Sequence, residues 1–597
     1  MSAQANARSA EALVRTLVAA GAQEAVVSPG SRNTAIIMAL HRHATDGRLK
    51  LHTVIDERTA GFYALGLARM SGRPAILCCT SGSAGTHYFP AVVEASKSRI
   101  PLFVVTADRP AELHECGAPQ TMNQQELYGS HVRLFVHLEA PDAQTTDAHL
   151  ERNLATLTEG AKSAVPGPIH INQAFRKPLW KPDARVDTPP AQVTVPMAPK
   201  TIASEEAGAQ EENYQRLLVA ALASRRGVIL WGAGEVGCSG APYAEVRDSV
   251  SRFIASLSSE RGWPVVTDAT AGIRDNWMTC ENHVGSADVV LSSSSFAGAA
   301  RPDFVLRIGG EPTSRHVSTW VRDYTAGCSY LLDPSGWTRD PHRTATAVIA
   351  GSVADNLGRL IADLSESECH TDSSWLSGWK EADSRAKEGM AAACMADTLW
   401  AGSIAATVAK SLPPHSLLHL ASSLAIRSFA SFVPESPTKL TLTSNRGLNG
   451  IDGTIATALG ESVRWTGGIT AALLGDVAFA HDASALALTP RDRPFIAVVV
   501  DNSGGGIFDH LPISDAGSIF EEYFITPPDL DIEAIGRAYG LSTRTVSSSR
   551  GLRNALKEAS TSHGGHLIIA KVDRSTDIRL HEETWANASR LLEGVTP

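Results

Sequence analysis

Short apolar runs rich in Val, Ile and Leu recur along the chain and end in Gly, Asp or Ser, while the segments between them repeat apolar residues at helical spacing. In the first third, EAVVSPG, PAILCCTSGSAG, PLFVVTADRP and GPIHINQAF read as strands, and ERTAGFYALGLARMSG reads as a helix between two of them. GVILWGAG, WPVVTDATAG, FVLRIGG and SYLLDPSG continue the alternation, and KLTLTSNRG, ITAALLGDVAF, PFIAVVVDNSGGGIF and HLIIAKVDR complete it. Strands alternating with helices predict parallel sheets, because a parallel return needs a crossover. The expected fold class is α/β, with three doubly wound parallel-sheet domains. They should occupy residues 1–182, 213–364 and 395–597. A Pro/Ala/Thr/Val-rich linker is expected at 183–212 and a polar helical connector at 365–394.

At 597 residues, several domains are expected from size alone. The chain is 43% hydrophobic and 19% charged, and its net charge of −10 lies in no long like-charge run. Nothing in it predicts a nucleic-acid footprint or an anionic-membrane surface, so small-molecule partners are expected. No apolar run is long enough to span a bilayer, and the first residues lack the pattern of a secretory leader. The eight cysteines (Cys78, Cys79, Cys116, Cys238, Cys280, Cys328, Cys369 and Cys394) form no CxxC pair and no zinc spacing. A reducing, cytoplasmic setting is the expectation.

The segment LLGDVAFAHDASALALTPRDRPFIAVVVDNSGGGIF carries the most chemistry. Asp476 ends one apolar strand and Asn502 ends the next, 26 positions later, which leaves room for a crossover helix. Two strand ends then meet at one place. A hard cation such as Mg²⁺ takes carboxylate, amide and carbonyl oxygens together with ligand phosphates, and a Gly-rich turn lets backbone approach a diphosphate. Asp476, Asn502 and the carbonyl of Gly504 are the metal candidates. Alone, GD and NSGG would read as strand-end turns; the spacing and the flanking strands favour the chemical reading.

This arrangement resembles the thiamine diphosphate signature, a Gly-Asp followed at similar distance by Asn. Val477 stands where a glycine is usual, and Asp501-Asn502 stands for the frequent Asn-Asn. Thiamine chemistry also needs a carboxyl group against the aminopyrimidine ring, to favour the imino tautomer that removes the thiazolium proton. Glu57, just after a strand and opening a helix, is similar to that activating residue; Asp56 is its neighbouring rival.

VVSPGSRNT, IDERTAGFYALGLA, TSGSAG, TADRPAEL, GAPQTMNQ, SNRGLNGIDGTIATALG, GDVAFAHD and NSGGGIFDHLP, in this order, resemble the 2-succinyl-5-enolpyruvyl-6-hydroxy-3-cyclohexene-1-carboxylate synthase family over nearly the whole chain. The resemblance implies thiamine diphosphate with Mg²⁺ or Mn²⁺, bound by Glu57, Asp476, Asn502, Gly504, Gly505, Ile507 and Phe508. It implies a first domain that binds the pyrimidine and a last domain that binds the diphosphate. The implied reaction decarboxylates 2-oxoglutarate and adds the succinyl carbanion equivalent to isochorismate in a 1,4 manner. Both substrates are anions, and guanidinium is the matching fork. The implied pocket residues are Ser31, Arg32, Arg109 and Gln120 from the first domain, Arg315 from the central one, and Ser423, Arg427 and Arg446 from the last. Ile507, Phe508 and Leu511 would form its apolar wall. His316 replaces a second basic residue of the family, and Pro119 replaces an Asn before the pocket glutamine. The family also implies a homodimer or homotetramer. Rival readings are an acetolactate-synthase-like lyase acting on pyruvate and a silent thiamine-binding regulatory protein.

Two further features are read as structural. Gly232, Gly234 and Gly237 form a GxGxxG after a strand, but no acidic residue follows at dinucleotide-binding distance, since Asp268 comes too late. The histidines at 52, 87, 131, 481 and 510 form no metal-spaced pair.

Overall fold

Apolar runs of four to eight residues satisfy their backbone groups only by pairing. In the computed structural model, which describes residues 2–142, 154, 157, 165–182, 204–234, 241–272, 280–367, 371–436 and 438–597, they do so in three six-stranded sheets. The first contains β1 (Glu24–Val27), β2 (Lys50–Thr53), β3 (Ala75–Cys79), β4 (Leu102–Asp108), β5 (Leu134–Leu138) and β6 (Pro168–Ala174). The second contains β7 (Gly227–Trp231), β8 (Val265–Thr267), β9 (His283–Val284), β10 (Phe304–Ile308), β11 (Ser329–Asp333) and β12 (Ala345–Ala350). The third contains β13 (Leu417–Leu420), β14 (Thr441–Thr443), β15 (Thr470–Gly475), β16 (Pro494–Asp501), β17 (Ser542–Val546) and β18 (Gly564–Lys571). Their spatial orders are β2-β1-β3-β4-β6-β5, β12-β11-β10-β7-β8-β9 and β14-β13-β15-β16-β18-β17. Every pairing is parallel. The α/β class with three parallel sheets is as expected from the apolar pattern.

Central strands are covered on both faces, which is why β3, β7 and β10 are buried at every residue. Outer strands are not: β2 and β17 are largely half-buried or exposed. In each sheet the first strand has its successors on opposite sides. The carboxyl ends of β1 and β3, of β7 and β10, and of β13 and β15 therefore flank a crevice, the usual place for a ligand in such sheets.

In the second sheet the backbones of β7 and β10 stay paired past the strand ends. Gly232 N–H donates to Ile308 O at 2.8 Å and Gly310 N–H donates to Ala233 O at 2.7 Å. A Cβ on Gly232 would lie 1.9 Å from Gly310 O. Gly232 is there for close packing of two backbone segments; Gly237 lies outside the described residues. Asp268 is likewise spent locally, accepting from Thr270 N–H at 3.0 Å and Thr313 N–H at 2.7 Å.

Two connecting segments differ from their sequence reading. Most of the expected 183–212 linker lies outside the described residues, but from residue 204 the chain is already in the helix Ser204–Ala223. The segment read as a polar connector contains the helix Ser373–Cys394, and its stripe of Trp375, Trp379, Ala382, Ala386 and Met390 is buried in a core with Phe296 and Trp320. Trp379 meets Phe296 edge-on at 5.1 Å, and Trp375 Nε1 donates to Gly227 O at 2.9 Å. Ser, Lys and Glu on the opposite face hid this apolar stripe in the composition.

The chain forms two compact units. One gathers Met1–Thr201 with Cys238–Tyr243 and Leu459–Arg464, and so holds the first sheet; the other holds the second and third sheets. Trp379→Ala should cost the second unit about 3–5 kcal/mol, read as an earlier urea transition of that unit, with the first unit's transition unmoved.

Candidate active site

The third sheet places the acidic and amide candidates by register. β15 and β16 pair from Thr470↔Phe495 to Gly475↔Val500, so Asp476 and Asn502 leave adjacent strands at the same edge. β13 lies on the other side of β15 and ends just before Ser422 and Ser423. All four residues line one cavity of about 180 Å³, together with the turn from Gly504 to Phe508.

Asp476 is 1% exposed. Its carboxylate accepts from Gly504 N–H at 2.7 Å and from Val477 N–H at 2.8 Å. Burial pushes its pKa up to about 6; the two N–H donors oppose the rise, and the charge of Asp501 adds to it. The turn around it is shaped by missing side chains. Gly504 has φ +129°, and a Cβ there would lie 2.2 Å from Ile525 O; a Cβ on Gly506 would lie 2.3 Å from Asn502 Nδ2.

This donor set fits a hard divalent cation: one carboxylate, one amide and the Gly504 carbonyl, which also accepts from Gly506 N–H at 2.9 Å. Among the described residues no three His, Cys, Asp or Glu side chains gather as metal ligands. A cation held here would thus draw its remaining ligands from neutral oxygens and from the phosphates of a cofactor, as Mg²⁺ commonly does. Glycine backbone and the Ser422 and Ser423 hydroxyls at the same cavity fit a diphosphate.

The other candidates of the second unit are distributed around this cavity. Ile507 and Phe508 line it, Phe508 packing edge-on against Phe524 at 5.5 Å; Leu511 is exposed just beyond. Ser423 holds φ +72°, ψ −136°, a strained conformation for a residue with a side chain, and its carbonyl accepts from Arg427 Nη1 at 2.8 Å. Arg446 follows β14 and is half-buried, and Arg315 is exposed at the start of the helix Arg315–Tyr324. His316 does not stand free beside it: its Nδ1 lies 3.0 Å from Asp288. Although burial pushes the Asp288 carboxyl up, His316, Ser314 and Ser431 hold it below its usual value.

The first unit carries the remaining candidates. Asp56 is occupied as the cap of the helix Glu57–Ser71, accepting from Arg58 N–H at 3.0 Å and pairing with the Arg58 guanidinium at 2.8 Å. Glu57, half-buried, opens that helix, and its charge helps burial and Cys78 raise the Cys79 thiol pKa. Ser31 is exposed in the turn after β1, beside Arg32, which is 4% exposed and donates to Phe175 O at 2.6 Å. Burial lowers the Arg32 pKa, the nearby Arg109 lowers it further, and Asp108 opposes both. Two guanidinium groups this close together make a ready anion site. Arg109 donates from Nε and Nη2 to Pro119 O at 3.1 and 2.8 Å and from Nη1 to Ser81 Oγ at 3.0 Å, leaving two N–H groups of its fork for a ligand. Gln120, at φ +58°, donates to Ser81 O at 3.0 Å.

Sequence reasoning missed Asp577. It is 5% exposed, lines the cavity, accepts from Ala401 N–H at 2.7 Å, and has its pKa raised by burial. In DRSTDIRLHEE it looks like one more charge on a solvated helix, and only the packing of that helix buries it.

Asp476 sets a testable sign. Its folded-state pKa is raised from 3.8 to about 6, so the metal-free protein holds this proton more tightly than the unfolded chain, and stability falls as pH rises through that window. At neutral pH the cost is roughly 2–3 kcal/mol. Asp476→Asn should therefore raise the Tm of the second unit without metal at neutral pH, lose that advantage below about pH 4, and abolish any further stabilisation by Mg²⁺ with thiamine diphosphate. Calorimetric melts across pH check all three.

Comparison with known proteins agrees with this geometry. The family model described as the thiamine pyrophosphate enzyme N-terminal TPP binding domain matches residues 7–127, and the one described as the C-terminal TPP binding domain matches residues 427–570. Among similar proteins, one from Myxococcus xanthus is 34% identical over 606 aligned residues, covering 98% of each chain. One from Sorangium cellulosum is 33% identical over 596, covering 97% of this chain and 95% of its own. One from Listeria innocua is 30% identical over 593, covering 98% of each. All three carry the same name, and this chain belongs to their family, the 2-succinyl-5-enolpyruvyl-6-hydroxy-3-cyclohexene-1-carboxylate synthases, which are thiamine diphosphate enzymes.

Proposed function

We propose that the enzyme decarboxylates 2-oxoglutarate and joins the succinyl unit to isochorismate by 1,4-addition, yielding 2-succinyl-5-enolpyruvyl-6-hydroxy-3-cyclohexene-1-carboxylate on the way to menaquinone or phylloquinone. The observation that carries this reading is the meeting of Asp476 and Asn502 on one cavity in a chain of this family. Bound thiamine diphosphate supplies the electron sink that lets a 2-oxo acid lose carbon dioxide. Asp476, Asn502 and the Gly504 carbonyl would hold its Mg²⁺ or Mn²⁺, and Gly505 would offer backbone to the diphosphate. Glu57 holds a proton at the aminopyrimidine nitrogen. Ile507, Phe508 and Leu511 would supply an apolar wall that limits water at the reacting centre.

The substrates' carboxylates call for cations. Ser31, Arg32, Arg109 and Gln120 serve them from the first unit, and Arg315, Ser423, Arg427 and Arg446 from the second. The proposed domains follow these roles: pyrimidine-binding over 1–182, central over 213–364, and diphosphate-binding over 395–597. Membership of this family supports assembly as a homodimer or homotetramer. No helix among the described residues is long and apolar enough to cross a membrane. The unpaired thiols of Cys78, Cys79, Cys116, Cys280, Cys328 and Cys394 support a cytoplasmic setting.

Mass spectrometry of the product formed with both substrates, cofactor and Mg²⁺ is the decisive test: the succinyl adduct is expected, and acetolactate from pyruvate in its place would overturn the assignment. Glu57→Gln should slow turnover by about a hundredfold to ten-thousandfold while calorimetry still records cofactor binding. Unchanged turnover would remove Glu57 from the chemistry.

A further inference from the structure

Asn172 sits in the middle of β6, 0% exposed, in register with Thr106 on β4 and His137 on β5. Its Oδ1 accepts from Thr106 Oγ1 at 2.7 Å and from Gln124 Nε2 at 3.0 Å. Its Nδ2 donates to Asp108 Oδ2 at 2.8 Å and to His137 Nδ1 at 3.2 Å. An amide has two donor hydrogens and two acceptor lone pairs, and all four are used.

The bonds lead outward to the backbone of Arg109 and to the turn that holds the side chains of Arg109 and Gln120. Through Asp108 they reach Arg109, whose backbone N–H donates to Asp108 Oδ1 at 2.7 Å. Through Gln124 they reach the turn after β3: Gly82 N–H donates to Gln124 Oε1 at 2.7 Å, next to Ser81, which receives both Arg109 Nη1 and Gln120 Nε2. We propose that Asn172 is the positioning residue that sets the aim of Arg109 and Gln120 on the substrate carboxylates. The proposal rests on the reading of those two residues as substrate-binding.

The chemistry of the position admits little else. Asp108 and His137 Nδ1 each need a donor, while Thr106 and Gln124 each need an acceptor, and only a neutral amide supplies both pairs here. The ionisable groups facing this hub are Asp108 at the end of β4, Arg109 and His114 in the segment after it, Arg32 from the turn after β1, His137 on β5 with Glu139 beside it, and His170 on β6. His170, pushed down to about 3 by burial, stays neutral. An aspartate at 172 would oppose Asp108 carboxylate to carboxylate until one of them takes a proton, and the shared proton would then restore the lost donor.

The test measures KM for 2-oxoglutarate and isochorismate, kcat, and cofactor affinity by calorimetry, for wild type, Asn172→Asp, Asn172→Ala and Arg109→Lys, from about pH 8 down to about pH 5.5. Asn172→Asp should raise KM about ten- to hundredfold at the alkaline end and recover toward wild type as pH falls. Asn172→Ala should raise KM at every pH, with cofactor affinity unchanged in both. A KM ratio for Asn172→Asp that is flat with pH, or equal losses of kcat and cofactor affinity, overturns the proposal. If Arg109→Lys leaves KM unchanged, the substrate role of Arg109 is what fails; if it raises KM while Asn172→Asp does not, the hub alone fails. Should the Asn172 variants not fold, Gln124→Glu breaks the same hub from the loop side and must show the same acid-restored KM.

Discussion

A parallel sheet delivers the carboxyl end of every strand to one edge, and the hydrogen bond from Gly504 N–H to Asp476 Oδ2 at 2.7 Å shows what that constraint accomplishes in this enzyme. Asp476 and Asn502, 26 positions apart, become neighbours because a crossover returns the chain beside its own strand. The glycines of the NSGGG turn then let backbone close around the carboxylate without a side chain in the way. The Ser423 turn, the apolar Phe508 and the buried Asp577 all face the space that this pairing opens.

Charge is placed where burial makes it costly and a ligand makes it useful. In the third sheet burial holds the Asp476 pKa up to about 6 against two backbone N–H donors. In the first sheet the sign is opposite: burial and the nearby Arg109 lower the Arg32 pKa, and the buried Asp108 opposes both. The second sheet is the contrast. There backbone meets backbone at Gly232 and Gly310, so close that a Cβ on Gly232 would lie 1.9 Å from Gly310 O.

The central strands were legible because burial on both faces demands uninterrupted Val, Ile and Leu, as in AILCC and PFIAVVVD. The outer strands were not. LFVHL, ATAVIA and STRTV are partly solvated and alternate or break their apolar pattern, so β5, β12 and β17 pass for loop or helix flank. β13 is buried but only four residues long, too short to announce a period. The connector helix misled through its composition, since Trp375 and Trp379 lie on one face of a segment whose other face is charged. In the cavity, Asp476, Asn502 and the glycines were readable from spacing, whereas Asp577 carries no local signal at all.

Sequence alone determined the parallel α/β class, the family, and the chemical types at the strand ends, because strand period, turn residues and motif spacing are local properties of the chain. Tertiary structure decided which polar groups are buried and what they are bonded to. That Asn172 joins Asp108 to Gln124, that His316 is held by Asp288, and that Arg109 spends half its fork on Pro119 depends on strand register and helix packing. Hydrogen-bond partners separated by tens or hundreds of residues are set by how elements stack, and no periodicity in the chain encodes them.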